Sequence, residues 1–104
     1  MLYDVLMKSR TEILGLLEQN RRRLRQFGVR EIGVFGSVIR GEQTSKSDVD
    51  VLAEFEKNTF DSYMDLLFYL EELFEADVDL VLKGSIKPLI RENILAETVY
   101  VANL

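Results

Sequence analysis

The chain of 104 residues contains no cysteine and no histidine. The first absence excludes disulfides, thiolate nucleophiles and zinc–thiolate sites. With histidine missing as well, any chemistry must rest on carboxylates, hydroxyls, lysine, arginine or a bound metal. Basic charge is in deficit, with 13 Lys and Arg against 18 Asp and Glu and a net charge of −5. That balance argues against a broad electrostatic footprint for nucleic acid. No apolar run approaches the ~20 residues of a membrane span, and the opening MLYDVLMKSR is too short and too acidic for a signal peptide. The expected location is the cytoplasm, with no membrane partner. Repeats, low-complexity tracts and linkers are also missing.

What is present suits one small folded unit. Hydrophobic residues make up 47% of the chain, an ordinary globular share. Residues 1–104 are read as a single domain, with 1–8 as an N-terminal extension. The segment SRTEILGLLEQNRRRLRQFG predicts one helix. Ser9 and Glu12 have capping-box spacing, Ile13, Leu17, Leu24 and Phe27 form its apolar stripe, and Gly28 stops it. REIGVF, SDVDVLAEF and DVDLVL read as strands, and TVYVA as a short final one. TFDSYMDLLFYLEELFE predicts a helix with Tyr63, Leu66, Leu67, Leu70, Leu73 and Phe74 on one face. KPLIRENILAE predicts another, with Pro88 in its first turn. A short helix is expected after Gly36. The alternation gives an α/β (α+β) domain in which a short mixed sheet is flanked by helices. Each strand has a polar face, so the sheet is expected to be open on one side.

The polar face carries the chemistry. Side chains alternate across a strand, so Asp48 and Asp50 point one way while Val49, Val51 and Ala53 point toward the core. Asp77 and Asp79 repeat the pattern, with Val78, Leu80 and Leu82 opposite. If the two strands are neighbours, several carboxylates gather on one patch and raise one another's pKa. A cation relieves that repulsion, and hard oxygen donors without His or Cys point to Mg²⁺ or Mn²⁺. Two such ions ~4 Å apart would clamp the attacking and leaving oxygens of a phosphoryl or nucleotidyl transfer. A lone Asp-x-Asp is as readily a solvated strand face. The doubled pattern and the turn before it favour the metal.

That turn is Gly36–Ser37. Glycine lets the backbone approach a ligand closely, Ser37 is expected to cap the following helix, and a helix N-terminus suits phosphate. Arg40, one turn on, could meet a phosphate oxygen. Gly36, Ser37 and Arg40 are therefore the candidate nucleotide-binding residues.

Taken together, Gly36–Ser37, ten intervening residues, Asp48-x-Asp50 and a third aspartate, Asp79 within VDLV, resemble the signature of the minimal nucleotidyltransferase (MNT) family. This family belongs to the DNA polymerase β-like nucleotidyltransferase superfamily. SVIRGE, SKSDVDVL and KPLIRENILAETVYV resemble family text, so the similarity runs from about Leu24 to Ala102. The resemblance implies a polymerase β-like fold, with Asp48, Asp50 and Asp79 as metal ligands and catalytic acids, and Asp79 also acting on the proton of the incoming hydroxyl. Asp77 matches no family position and is a helper or a bystander. The resemblance further implies ATP as co-substrate and a helical HEPN-type partner. The chain would then be the antitoxin of a toxin–antitoxin pair and would transfer AMP to a partner tyrosine. Larger relatives hold the acceptor in a second domain, so here a partner is expected to present it. Two other readings stay open: a non-catalytic antitoxin acting by occlusion, and the catalytic subunit of a two-chain small-molecule nucleotidyltransferase.

Two further features belong to surfaces. Arg21–Arg25 holds a basic cluster that reads as a solvated face complementing the helix dipole. Met64 and Phe68 stand four apart, off the core stripe, and read as an apolar strip for a partner or a second copy. Contact with Leu2–Met7 is the plainer alternative.

Overall fold

A computed structural model describes residues 8–104. Chain order is α1 (Arg10–Gln19), α2 (Arg21–Gln26), β1 (Val29–Phe35), α3 (Ser37–Arg40), β2 (Val49–Phe55), α4 (Phe60–Phe74), β3 (Val78–Leu82), a 3₁₀ turn (Lys83–Ser85), α5 (Pro88–Glu97) and β4 (Val99–Tyr100). The capping box at Ser9 and Glu12 forms in both directions.

The single helix expected over residues 9–28 is two. It breaks at Asn20, whose φ of −110° and ψ of 22° leave the helical region. The side chain explains the break, since its Nδ2 donates to Leu16 O at 2.7 Å and its Oδ1 accepts from Tyr69 Oη at 2.9 Å. An asparagine that bonds nearby backbone competes with the helix ladder. The arginines after the break are less idle than a solvated face, because the Arg23 guanidinium stacks over Phe27 and Tyr69.

The sheet runs β3-β2-β1-β4. β1 pairs antiparallel with β2 and with β4, and β2 pairs parallel with β3. This is the mixed sheet that the short half-polar strands predict. One face packs on α1, α2 and α4 through Ile13, Leu17, Leu24, Val34, Val51, Leu66, Leu70 and Phe74, all buried. Each such side chain contributes ~1.5–3 kcal/mol on leaving water. The stripe forecast on α4 divides as its spacing requires, with Leu66, Leu70 and Phe74 buried and Tyr63, Leu67 and Leu73 packed at its border.

The other face is not fully open. Phe35, Leu52 and Ile86 are buried there, with Ile94, Leu95 and Tyr100 around them. α5 and the segment leading into it cover part of this face because the sheet carries apolar side chains there as well. Phe68 lies exposed on α4 as its offset from the stripe requires, whereas Met64 is half-buried. The alternative that Leu2–Met7 covers these two falls outside the described residues.

Candidate active site

Strand pairing brings the acids together. β2 and β3 run parallel with Asp50 beside Asp79, and antiparallel pairing sets Phe35, the last residue of β1, beside Asp50. The chain therefore leaves β1 through Gly36 at the sheet end where β2 and β3 begin. Asp50 is half-buried there, while Asp48 and Asp79 are exposed.

Asp50 is the strained member. Burial, then the charge of Asp79, then that of Asp48 push its carboxyl up to about 6, against the opposing pull of Arg40. Asp77 stands apart, on the wall of a cleft of about 630 Å³ bounded by residues 43–47 and the end of α4. That cleft includes none of Asp48, Asp50 and Asp79. Among the described residues no three carboxylates converge closely enough, as they stand, to hold an ion. The donor set still fits a hard divalent cation. It is all oxygen, and the repulsion that holds Asp50 above the ordinary carboxylate range is what a cation relieves.

The raised carboxyl has a thermodynamic consequence. Asp50 binds its proton more tightly folded than unfolded, so this contribution to stability is full below about 3.8 and is lost as pH rises through about 6. In metal-free protein at pH 8, Asp50→Asn should be more stable than wild type by about 1–2 kcal/mol after allowance for solvent screening. The gap should shrink toward pH 4.5. Calorimetry in a chelating buffer at both pH values checks this. An equal gap at the two pH values, or a less stable variant at pH 8, would contradict it.

Gly36 adopts φ 77° and ψ −152°, a region nearly closed to other residues. A Cβ there would fall on Oδ2 of Asp50 and lie 2.9 Å from its Cγ. The missing side chain is thus the space the Asp50 carboxylate occupies. Ser37 does not cap α3 as expected. Gly36 is the N-cap, Ser37 is the first helical residue, and no side-chain cap bond forms. The Ser37 hydroxyl has no hydrogen-bond partner among the described residues, and the first N–H groups of a helix have none within it.

Arg40 lies one turn on, but its guanidinium is already paired. Nε donates to Glu42 Oε1 and Nη1 to Glu97 Oε2, each at 2.7 Å. Glu97 also accepts the Gly36 N–H through Oε1 at 2.5 Å. Burial works to raise the Glu97 pKa, but Arg40 and the Gly36 N–H outweigh it and hold the carboxyl below its usual range. Sequence reasoning missed Glu97. It belongs to no short motif and reaches the turn only because β4 pairs with β1 immediately after it. On the far side, Tyr63 Oη donates to Leu80 O at 2.6 Å, which ties α4 to the strand carrying Asp79.

The model of the nucleotidyltransferase domain family matches residues 16–101 of this chain. Protein adenylyltransferase MntA of Thermococcus cleftensis is 48% identical over 92 residues, spanning 86% of this chain and 93% of the relative. A solved structure provisionally described as a minimal nucleotidyltransferase superposes with a TM-score of 0.69 at 34% identity, covering 83% of this chain and 93% of the other. A chain from a complex of tri-AMPylated Shewanella oneidensis HEPN toxin with MNT antitoxin shares the fold, with a TM-score of 0.62 at 19% identity over 88% of this chain and 73% of that one.

Proposed function

This chain belongs to the minimal nucleotidyltransferase family and is a nucleotidyltransferase, and on that premise we propose that it moves AMP from ATP to a tyrosine hydroxyl of a HEPN-type partner, acting as its antitoxin. The observation that carries the proposal is the register that sets Asp50 beside Asp79, with Asp48 in electrostatic reach and the Gly36–Ser37 turn alongside. The adenylyl group is supported by the name of the Thermococcus relative. The HEPN partner is supported by the complex in which a fold neighbour was solved. The tyrosine rests on the family resemblance alone.

Asp48, Asp50 and Asp79 would hold Mg²⁺ or Mn²⁺, which when bound supplies charge neutralisation on the triphosphate and activation of the attacking oxygen. The residues of the chain do the rest. The Ser37 hydroxyl and the free N–H groups at the start of α3 bind phosphate oxygens. Asp79, exposed at the edge strand, takes the proton of the incoming hydroxyl. That oxygen forms a bond to the α-phosphorus as the bond from the α-phosphorus to the bridging oxygen breaks, and pyrophosphate leaves in line. Positioning and charge stabilisation carry most of such a transfer. The exposed Phe68 remains the candidate contact for the partner or for a second copy.

Binding tests the site before chemistry does. ATP with Mg²⁺ should raise the melting temperature well beyond the sum of the shifts given by each alone, because carboxylates and triphosphate repel without the ion. Equal shifts by ATP with and without Mg²⁺ would count against the proposed site.

A further inference from the structure

Glu97 is placed where the transfer chemistry gives it no role. Its two oxygens take the Gly36 N–H at 2.5 Å and the Arg40 guanidinium at 2.7 Å. A backbone amide at a glycine turn together with a guanidinium is the donor pair that a phosphate seeks. Glu42 takes the other edge of the same guanidinium. Two carboxylates on one arginine leave a net negative charge beside the proposed triphosphate path, and that charge repels the ligand.

We propose that Glu97 is a resident anion that latches Arg40 away from the nucleotide, and that ATP binds by drawing Arg40 off it. This rests on the reading of the Gly36–Ser37 turn as the triphosphate cradle. The two bonds of Glu97 differ in how easily they break. β4 follows Glu97 almost at once and pairs with β1 at Val34 and Gly33, so Glu97 stays near Gly36. The Arg40 side chain is 47% exposed and Glu97 27%. A pair this open to water holds weakly, and the long arginine side chain can swing to a ligand bearing several charges. The carboxylate then keeps the turn in place from behind while Arg40 changes partner.

Glu97→Gln separates the two bonds. The amide oxygen can still accept the Gly36 N–H, but the charge that holds Arg40 is gone. Titration calorimetry with Mg²⁺–ATP should show the variant binding roughly three- to tenfold tighter than wild type, in line with a partly screened charge. Arg40→Met should bind more weakly than wild type, and Glu97→Gln should add little in that background. Equal or weaker binding by Glu97→Gln, with wild type binding normally, overturns the latch and leaves the cradle standing. Failure of both proteins to bind overturns the cradle and the latch with it. If Glu97→Gln does not fold, the wild-type chain answers through the Arg40 side-chain NMR resonances. Inorganic tripolyphosphate should shift them, and saturation without a shift overturns the latch.

Discussion

Asp50→Asn and Asp48→Asn are each expected to lower nucleotidyl transfer at least about a thousandfold, ~4 kcal/mol of barrier, while the protein stays folded. Activity and stability move in opposite directions here. Asp48 is in electrostatic reach of Asp50, which is already held above its ordinary pKa by burial and by Asp79 and Asp48. Neutralising one relieves the folded protein and removes a donor the cation needs. Asp79→Asn should also stop transfer but spare more of the triphosphate binding, since its further role is on the acceptor's proton. Asp77→Asn should change activity only a few-fold, because Asp77 lines the cleft beside residues 43–47 and lies outside the Asp50–Asp79 pairing. Single-turnover rates for the four variants, with melting curves alongside, check the set. An Asp77→Asn loss as deep as that of Asp79→Asn would show the third acid to be misassigned.

Gly36→Ala should cost both fold and function. The backbone there, at φ 77° and ψ −152°, costs a residue with a side chain about 1–3 kcal/mol. The new methyl group also lands on the Asp50 carboxylate. That carboxylate is attached to a central strand whose neighbouring residues are buried, so it cannot retreat without disturbing β2. A loss of ~3 kcal/mol or more is expected, a drop of roughly 12–24 °C in melting temperature for a domain of this size, with transfer abolished. Gly15→Ala is the contrast. It lies inside α1, a Cβ there meets nothing within 4 Å, and helix propensity favours alanine by about 0.5–1 kcal/mol. Melting curves that put both variants within a degree or two of wild type would contradict the account of Gly36.

These two predictions draw on parts of the molecule that were legible in the sequence to different degrees. Strand alternation is local, so the burial of Val49, Val51 and Ala53 could be read directly. Caps are local too, and Ser9–Glu12 forms as spaced. Features made by tertiary contact could not be read. The break at Asn20 depends on Tyr69, 49 residues away. The doubled Asp-x-Asp suggested several carboxylates on one patch, with the part of Asp77 left open. Asp77 precedes the first residue of β3 and lines the cleft, while Asp50 and Asp79 sit side by side in the register. The polar strand faces suggested an open sheet, and Leu52 with Ile86 showed that part of that face is covered. Glu97 was the least legible of all. It ends an ordinary amphipathic helix, and only the β1–β4 pairing brings it 61 residues back to Gly36.

The central claim is transfer of AMP to a protein hydroxyl, and intact-mass spectrometry of the partner tests it most directly. A co-encoded HEPN-type protein incubated with this chain, ATP and Mg²⁺ should gain the mass of one or more AMP units, on tyrosine by fragment analysis. The gain should disappear with Asp48→Asn. A partner that is neutralised with no gain in mass from any nucleoside triphosphate would contradict the claim and make this chain an antitoxin that works by occlusion.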